Sequence, residues 1–324
     1  MPTLLVIAAG VLCACGAYLV LARQLSRVII GIGLLGHGVN LLLVLAGGAG
    51  AIVFGATAAW LVTLCRFPGR AVIEWLLVVP LAAPSYILAY AYAGMTWAGA
   101  SPLPVQGFWG AAFIYAVGLY PYVYLAARAS FASQSACALE AARMLGASPA
   151  RVFWRVALPL ARPGIAAGAA LACMEIAADY GAAQHFGLST LSTAVFRAWD
   201  AHGAPALALQ ISAVLLVAAI VFLFVERRAR GRAAYAGGSS RWRPLPRYQL
   251  NSAAGVLAAG FCTALIFFGA LLPLMWLARL AVIHADVQDI ISPFANSMVL
   301  AALGALITLA LAAAIAVAAR RATT

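Results

Sequence analysis

From Val28 to Cys65 the chain carries no arginine, lysine or carboxylate. One helix of that length would overshoot a bilayer, whose hydrocarbon core takes roughly 20 helical residues. A hairpin turning at Gly47-Gly48-Ala49-Gly50 divides the run into spans at 28–45 and 47–65. Further apolar runs occupy 3–22, 71–95, 107–127, 165–183, 205–225, 251–280 and 296–319. The expected fold is therefore an all-α polytopic membrane protein with about eight to nine transmembrane helices. Composition agrees: 66% of residues are hydrophobic, 9% are charged, and mean hydropathy is +1.02. That leaves too little charge to cover a soluble domain. Residues 1–22 lack a basic start and read as a first span, not as a cleaved signal.

In a soluble protein the net charge of +12 would point to nucleic acid. Here it marks arginine-rich loops on the cytoplasmic side, so no nucleic-acid partner is expected. Alternating the spans puts Arg23, Arg27, Arg66, Arg70, the 128–164 loop, the 226–249 loop and Arg320-Arg321 inside. Only Arg197 and Arg279 fall outside. The chain contains no lysine, which excludes a phosphate-binding Gly-Lys-Ser/Thr loop. Any ATP hydrolysis belongs to a partner chain, and no catalytic residue or cofactor is assigned. Cys13, Cys15, Cys65, Cys137, Cys173 and Cys262 lie mostly in apolar runs without metal-ligand spacing and read as packing residues. The segment 227–250, with its arginines, Gly-Gly-Ser-Ser and prolines, reads as a basic cytoplasmic linker along the anionic inner leaflet.

The most informative loop runs from Glu140-Ala141-Ala142 through Gly146 to Leu158-Pro159. Ser133 to Leu145 reads as a helix with small surface residues, ended by Gly146 in a left-handed cap. Ser148 then caps a second helix with Pro149 at its first position. In that helix Val152, Phe153 and Val156 project one way and Arg151 and Arg155 another, and Leu158-Pro159 closes it. On residues alone, this is an interfacial helical hairpin.

The segment also resembles the EAA loop of binding-protein-dependent ABC importer permeases. Glu140, Ala141, Ala142, Gly146, Leu158 and Pro159 match that pattern, with Val156 where isoleucine is usual. The resemblance implies a type I ABC importer permease-like helical bundle, with the loop (133–163) as the coupling element that docks on an ATP-binding subunit. A wider likeness, over residues 40–324, is to ferric-iron importer permeases. It rests on Arg66-Phe-Pro-Gly-Arg70, on Pro80-Leu-Ala-Ala-Pro84-Ser-Tyr-Ile-Leu-Ala-Tyr90, on Met174-Glu175 through Asp179-Tyr180-Gly181, and on Phe196-Arg197-Ala-Trp199. It implies a multi-pass bacterial inner-membrane subunit, a periplasmic substrate-binding protein and alternating access. Thiamine or polyamine transport on the same scaffold is the alternative.

Four polar residues are candidates for the translocation path. Glu175 and Asp179 stand at i,i+4 and project from one face of the sixth span. They either line the path or sit hydrated near its outer end. Tyr86 and Tyr90 share a helix with Tyr92 that Pro80 and Pro84 would kink, as gate or as aromatic belt. Glu74 is expected to be solvated, and His185 and His202 to be surface residues of an outer loop.

The two ends fit less well. Residues 1–45, with Arg23, Arg27, His37 and Asn40, resemble the C subunit of multisubunit sodium/proton antiporters, which implies a cation/proton antiporter subunit as a rival reading. In that frame 46–226 is the permease domain and 251–324 the opening of a second permease half. A second coupling loop would then come from a second permease chain or a homodimer.

Overall fold

The computed structural model describes residues 25–100, 105–134, 140–142, 144–201, 203–230, 247–284 and 287–322. The expected span at 3–22 lies outside them. The chain divides into two compact units, Met1–Leu274 and Met275–Thr324.

In the first unit, α1 (Leu25–Leu64) is one uninterrupted helix, so no hairpin forms at Gly47–Gly50. The glycines allow close packing instead. Against α4 (Gly107–Ala132), a Cβ on Gly47 would stand 2.9 Å from the Tyr115 Cβ. One on Gly50 would stand 2.6 Å from the Ala116 Cβ, and one on Gly55 2.6 Å from the Tyr120 carbonyl oxygen. These contacts advance together along both helices, so α1 and α4 run parallel. Lipid offers apolar side chains no advantage in leaving it, so association relies on such small-residue contacts. The membrane-crossing part of α1 is Gly38–Leu64. Arg27 therefore lies at the end of α1 opposite Arg66, and the alternation that put both inside loses Arg27. Arg23 is outside the described residues.

Between α1 and α4 the chain returns across the membrane as a broken span. It comprises α2 (Arg70–Leu76), a 3-10 turn (Val79–Ala82) and α3 (Ser85–Trp97), bent by 88° at the break. The cause is the one expected from Pro80 and Pro84. Pro84 disfavours a helical residue before it, and Ala83 is extended at φ −99, ψ 117. Glu74 departs from expectation. Instead of being solvated, it pairs with Arg70 at 3.4 Å and with Arg128 of α4, and its carbonyl accepts the Tyr124 hydroxyl at 2.9 Å. These bonds tie the start of the broken span to the C-terminal end of α4.

The chain next forms α5 (Pro149–Val152), a π turn (Phe153–Ala157) and α6 (Leu158–Ala178), which packs against α1 and α4. Gly168 of α6 sits so close to α4 that a Cβ would stand 2.6 Å from the Val123 Cα. Two short helices, α7 (Gly181–His185) and α8 (Leu191–Phe196), and a π turn (Arg197–Ala201) lead to α9 (Pro205–Arg230). After the linker, β2 (Tyr248–Gln249) pairs in parallel with β1 (Cys65–Arg66), aligning Tyr248 with Cys65 and Gln249 with Arg66. Then come α10 (Ser252–Ile266), a π turn (Phe267–Leu271) and α11 (Leu272–His284). The second unit begins within α11 and consists mainly of α12 (Val287–Ala322), whose apolar stretch Ile291–Ala313 is exposed. Among the described residues five helices are long and apolar enough to cross a membrane, six with the broken span.

Candidate functional site

Two regions carry the residues singled out from the sequence. The first is the loop around Gly146, expected on the cytoplasmic side. Gly146 has φ +77, and the Ala147 N–H reaches back to the Ala142 carbonyl at 3.2 Å. That is the six-to-one bond of a Schellman ending, in the left-handed conformation glycine adopts without strain. Met144 and Leu145 just before it are almost fully exposed, at 89% and 87%. Glu140, Ala141 and Ala142 are helical, whereas 135–139 lie outside the described residues. Ser148 caps the next helix as expected, its hydroxyl accepting from the Arg151 N–H at 3.4 Å. Val152 is buried, Phe153 lies tilted against Trp60 of α1 with ring centres 4.7 Å apart, and Arg151 and Arg155 are exposed.

The expected stop at Leu158-Pro159 is absent. The helix continues from Pro149 to Ala178 through the π turn. Pro159 has no N–H to donate, and its ring would crowd a carbonyl of a regular α-turn. The wider turn, closed by the Leu158 N–H on the Phe153 carbonyl, relieves this crowding and lets the helix pass through. The Gln134 side chain donates to the Ala157 carbonyl at 2.8 Å, fastening the entry of the loop to its exit.

The second region lies at the other end of α6. That helix stops at Ala178, so Asp179 is an extended residue after it (φ −68, ψ 122) and does not share a helical face with Glu175. Its carboxylate accepts the Ser85 hydroxyl at the break of the split span and the Ala182 N–H at 3.0 Å. Its carbonyl accepts the Ser192 hydroxyl at 2.7 Å. Asp179 thus joins the ends of α3, α6, α7 and α8. Gly181 lies against Tyr86, where a Cβ would stand 2.5 Å from the Tyr86 Cβ.

Tyr86 and Tyr90 follow each other along one side of α3, each 51% exposed. His185 is no isolated surface residue: its ring meets Tyr90 edge-on at 5.9 Å and its Nδ1 lies 2.8 Å from the Gly181 carbonyl. Beside it a cavity of about 230 Å³ is lined by Thr96, Trp97, Gln106, His185 and Phe186, among others. Tyr92 turns away, its buried hydroxyl donating to the Phe268 carbonyl at 2.7 Å. Glu175 is exposed on α6. Asn40 donates to the Ala177 carbonyl at 3.2 Å, an interhelical contact between α1 and α6. His202 lies outside the described residues. The structure therefore brings Asp179 and Tyr86 together through Gly181, sets Tyr90 beside His185, and leaves Glu175 on the helix that Asp179 has left. Sequence reasoning missed Ser85 and Ser192, although Ser85 directly follows the helix-breaking Pro84.

Residues 51–231 match the family described as binding-protein-dependent transport system inner membrane component. The chain belongs to that family. This makes it a multi-pass inner-membrane component of a transport system, not an enzyme. Among individual relatives, the Fe(3+)-transport system permease protein FbpB 2 of Haemophilus influenzae is 26% identical over 83% of this chain and 53% of its own length. The molybdenum transport system permease protein ModB of Escherichia coli is 32% identical over 40% of this chain and 61% of its own. The sulfate transport system permease protein CysT of Synechococcus elongatus is 34% identical over 33% of this chain and 42% of its own. The chain thus spans between about two fifths and three fifths of these relatives.

Proposed function

We propose that this chain is the membrane permease component of an ATP-driven importer for ferric iron, working by alternating access with ATP hydrolysis on a separate subunit. The observation that carries the reading is the reach of the iron-transport likeness, over 83% of the chain, against 40% for the molybdenum permease. The chemistry of the second region favours a cation as well. The carboxylate of Asp179, and that of Glu175 one turn back on α6, repel an oxyanion and suit a hard cation, which the neutral phenol oxygens of Tyr86 and Tyr90 can also ligate. Asp179, at the joint of the split span, is placed to change partners when that span moves.

The loop residues Glu140, Ala141, Ala142 and Gly146 present a small-residue surface with Met144 and Leu145 at its tip, fit to dock in a groove of the ATP-binding subunit. Leu158 and Pro159 sit where the docked helix joins α6, so displacement of the loop is transmitted to a packed span. A periplasmic substrate-binding protein delivers the ion, and a second permease chain or copy supplies the other coupling loop.

The test is uptake in cells carrying the chain with its companion subunits. Radiolabelled ferric iron should accumulate, labelled molybdate and sulfate should not, and Gly146→Asp should abolish both uptake and co-purification of the ATP-binding subunit. Accumulation of either oxyanion in place of iron would overturn the substrate. Retention of the ATP-binding subunit by Gly146→Asp would overturn the docking assignment.

A further inference from the structure

Four arginines meet at the cytoplasmic end of the helix core, from segments far apart in the chain. Arg66 ends β1, Arg70 begins α2, Arg128 lies near the end of α4, and Arg247 immediately precedes β2. The parallel pairing of Tyr248 with Cys65 and of Gln249 with Arg66 brings Arg247 to this place. The returning chain is held there a second time, because Gly255 of α10 packs on the turn at Phe67-Pro68. Both ion pairs made by these arginines among the described residues go to one carboxylate, Glu74. Among the described residues one carboxylate faces four guanidinium groups, an excess of three positive charges that is eased only at Arg70, which also donates to the Val62 carbonyl at the end of α1.

The crowding of charge bears on Arg247. Its hold on its proton is weakened, first by partial desolvation and then by Arg70, with Glu74 opposing and Arg66 adding a smaller push. Arginine clusters of this kind are stable when an anion completes them, and the bidentate guanidinium fork matches phosphate oxygens.

What lies beside the cluster identifies the source of the anion. On α2 and the turn after it, Val72, Trp75, Leu76 and Val79 are all exposed, with Trp75 at 76%. A soluble phosphate has no use for an apolar shelf. A phospholipid does, with its headgroup on the arginines and its acyl chains on the shelf, and an exposed tryptophan beside arginines marks the headgroup level of a membrane. We infer that Arg66, Arg70, Arg128 and Arg247 form a site for the phosphate headgroup of an anionic inner-leaflet phospholipid, whose chains lie along Val72, Trp75 and Leu76. The occupied site would brace the linker's return against β1, joining the helices before the linker to α10 after it.

The test measures lipid retained by the full-length chain, by native mass spectrometry from mixed micelles of phosphatidylglycerol and phosphatidylcholine. The expected result is preferential retention of phosphatidylglycerol. It should fall about tenfold in the double variant Arg66→Gln/Arg247→Gln and be largely kept in Arg66→Lys/Arg247→Lys. Arg66, Arg247 and Gln249 are exposed, so these changes leave the core intact. Gln249→Glu, which sets a carboxylate opposite Arg66, provides a second loss-of-binding variant should the double change not fold. Equal retention of the two lipids, or unchanged phosphatidylglycerol binding in both Arg66→Gln/Arg247→Gln and Gln249→Glu, overturns the site. Displacement of the lipid by millimolar inorganic phosphate overturns its assignment to a membrane lipid.

Discussion

Replacing Gly55 by alanine tests the packing that holds the core together. The added Cβ would lie 2.6 Å from the Tyr120 carbonyl oxygen, 2.7 Å from the Val123 Cβ and 2.8 Å from the Tyr124 N. Two of these three are backbone atoms of a helix and cannot swing aside. To restore ordinary contact near 3.4 Å, α1 and α4 must separate locally by roughly 0.8 Å. Overpacking of this kind costs about 1–3 kcal/mol, and a clash with rigid backbone belongs at the upper end. Alanine recovers about 1 kcal/mol through its better helix propensity, leaving a net loss of about 2 kcal/mol. Gly260 in α10 is the internal control, because a Cβ there meets nothing within 4 Å. Gly260→Ala should gain up to about 1 kcal/mol, so the two variants differ by about 3 kcal/mol. At about 2 °C per kcal/mol for a large chain, their melting temperatures should lie about 6 °C apart. The assay is thermal unfolding of the detergent-purified protein by intrinsic tryptophan fluorescence. Equal melting temperatures would refute the close parallel approach of α1 and α4, and with it the reading of the glycines as contact points.

Asp179→Ala should cost about 1 kcal/mol in the same melt, since it removes the acceptor for the Ala182 N–H, whereas Asp179→Asn should cost only a few tenths. Glu74→Gln should cost about 1–2 kcal/mol, because it strips Arg70 and Arg128 of their common counter-charge while leaving both partly solvated. Burial pushes the Cys65 thiol up to about 11 from an ordinary 9.0. In a chain whose other cysteines are alanine, maleimide should therefore label Cys65 slowly at neutral pH and fast only after unfolding in detergent. The same shift has a defined sign for stability. The unfolded thiol ionises first, so stability present below pH 9.0 is lost as the pH rises towards about 11. A melting temperature that stayed flat across that window, compared with Cys65→Ala, would contradict the burial.

The parts of the fold legible in the sequence are those written in local chemistry. Gly146, Ser148 and Pro149 mark a helix end and a helix start wherever they occur, and the structure places both there. Pro80 and Pro84 break a span for equally local reasons. Gly47, Gly48 and Gly50 are ambiguous for a physical reason. The same missing Cβ that permits a turn also permits a neighbouring helix to approach, and only the positions of α4 (at Gly47 and Gly50) and α6 (at Gly48) decide between them. Of the two partners of Glu74, Arg70 stands four residues away on the same helix and is legible from spacing, whereas Arg128 is reached only because α4 packs beside α2. Tyr86 and Tyr90 could be placed on one helix from spacing alone. That Asp179 leaves the helix, and so parts from Glu175, depends on the bonds it makes to Ser85 and Ala182.

Leu-Pro appears twice directly after a π turn, and the pair explains why a proline that reads as a stop became a passage. Phe153–Ala157 precedes Leu158-Pro159, and Phe267–Leu271 precedes Leu272-Pro273. In both, the leucine N–H closes on the phenylalanine carbonyl five residues back, Leu158 on Phe153 and Leu272 on Phe267. Widening the helix one turn ahead of the proline removes the carbonyl its ring would strike, so the axis continues where a tight α-turn would kink or end. For the cytoplasmic loop the consequence is mechanical. A true stop at Pro159 would leave a joint between the loop and α6. From Pro149 to Ala178 the helix is instead continuous, through both Pro159 and the interior Pro163. Its near end is seated on Trp60 through Phe153, and its far end stops one residue short of Asp179, at the joint of the split span. Replacing Pro159 with alanine would remove the need for the wide turn without breaking the helix. That change should therefore leave transport closer to the parent than Leu171→Pro, which removes an interior helix hydrogen bond at an exposed position of α6.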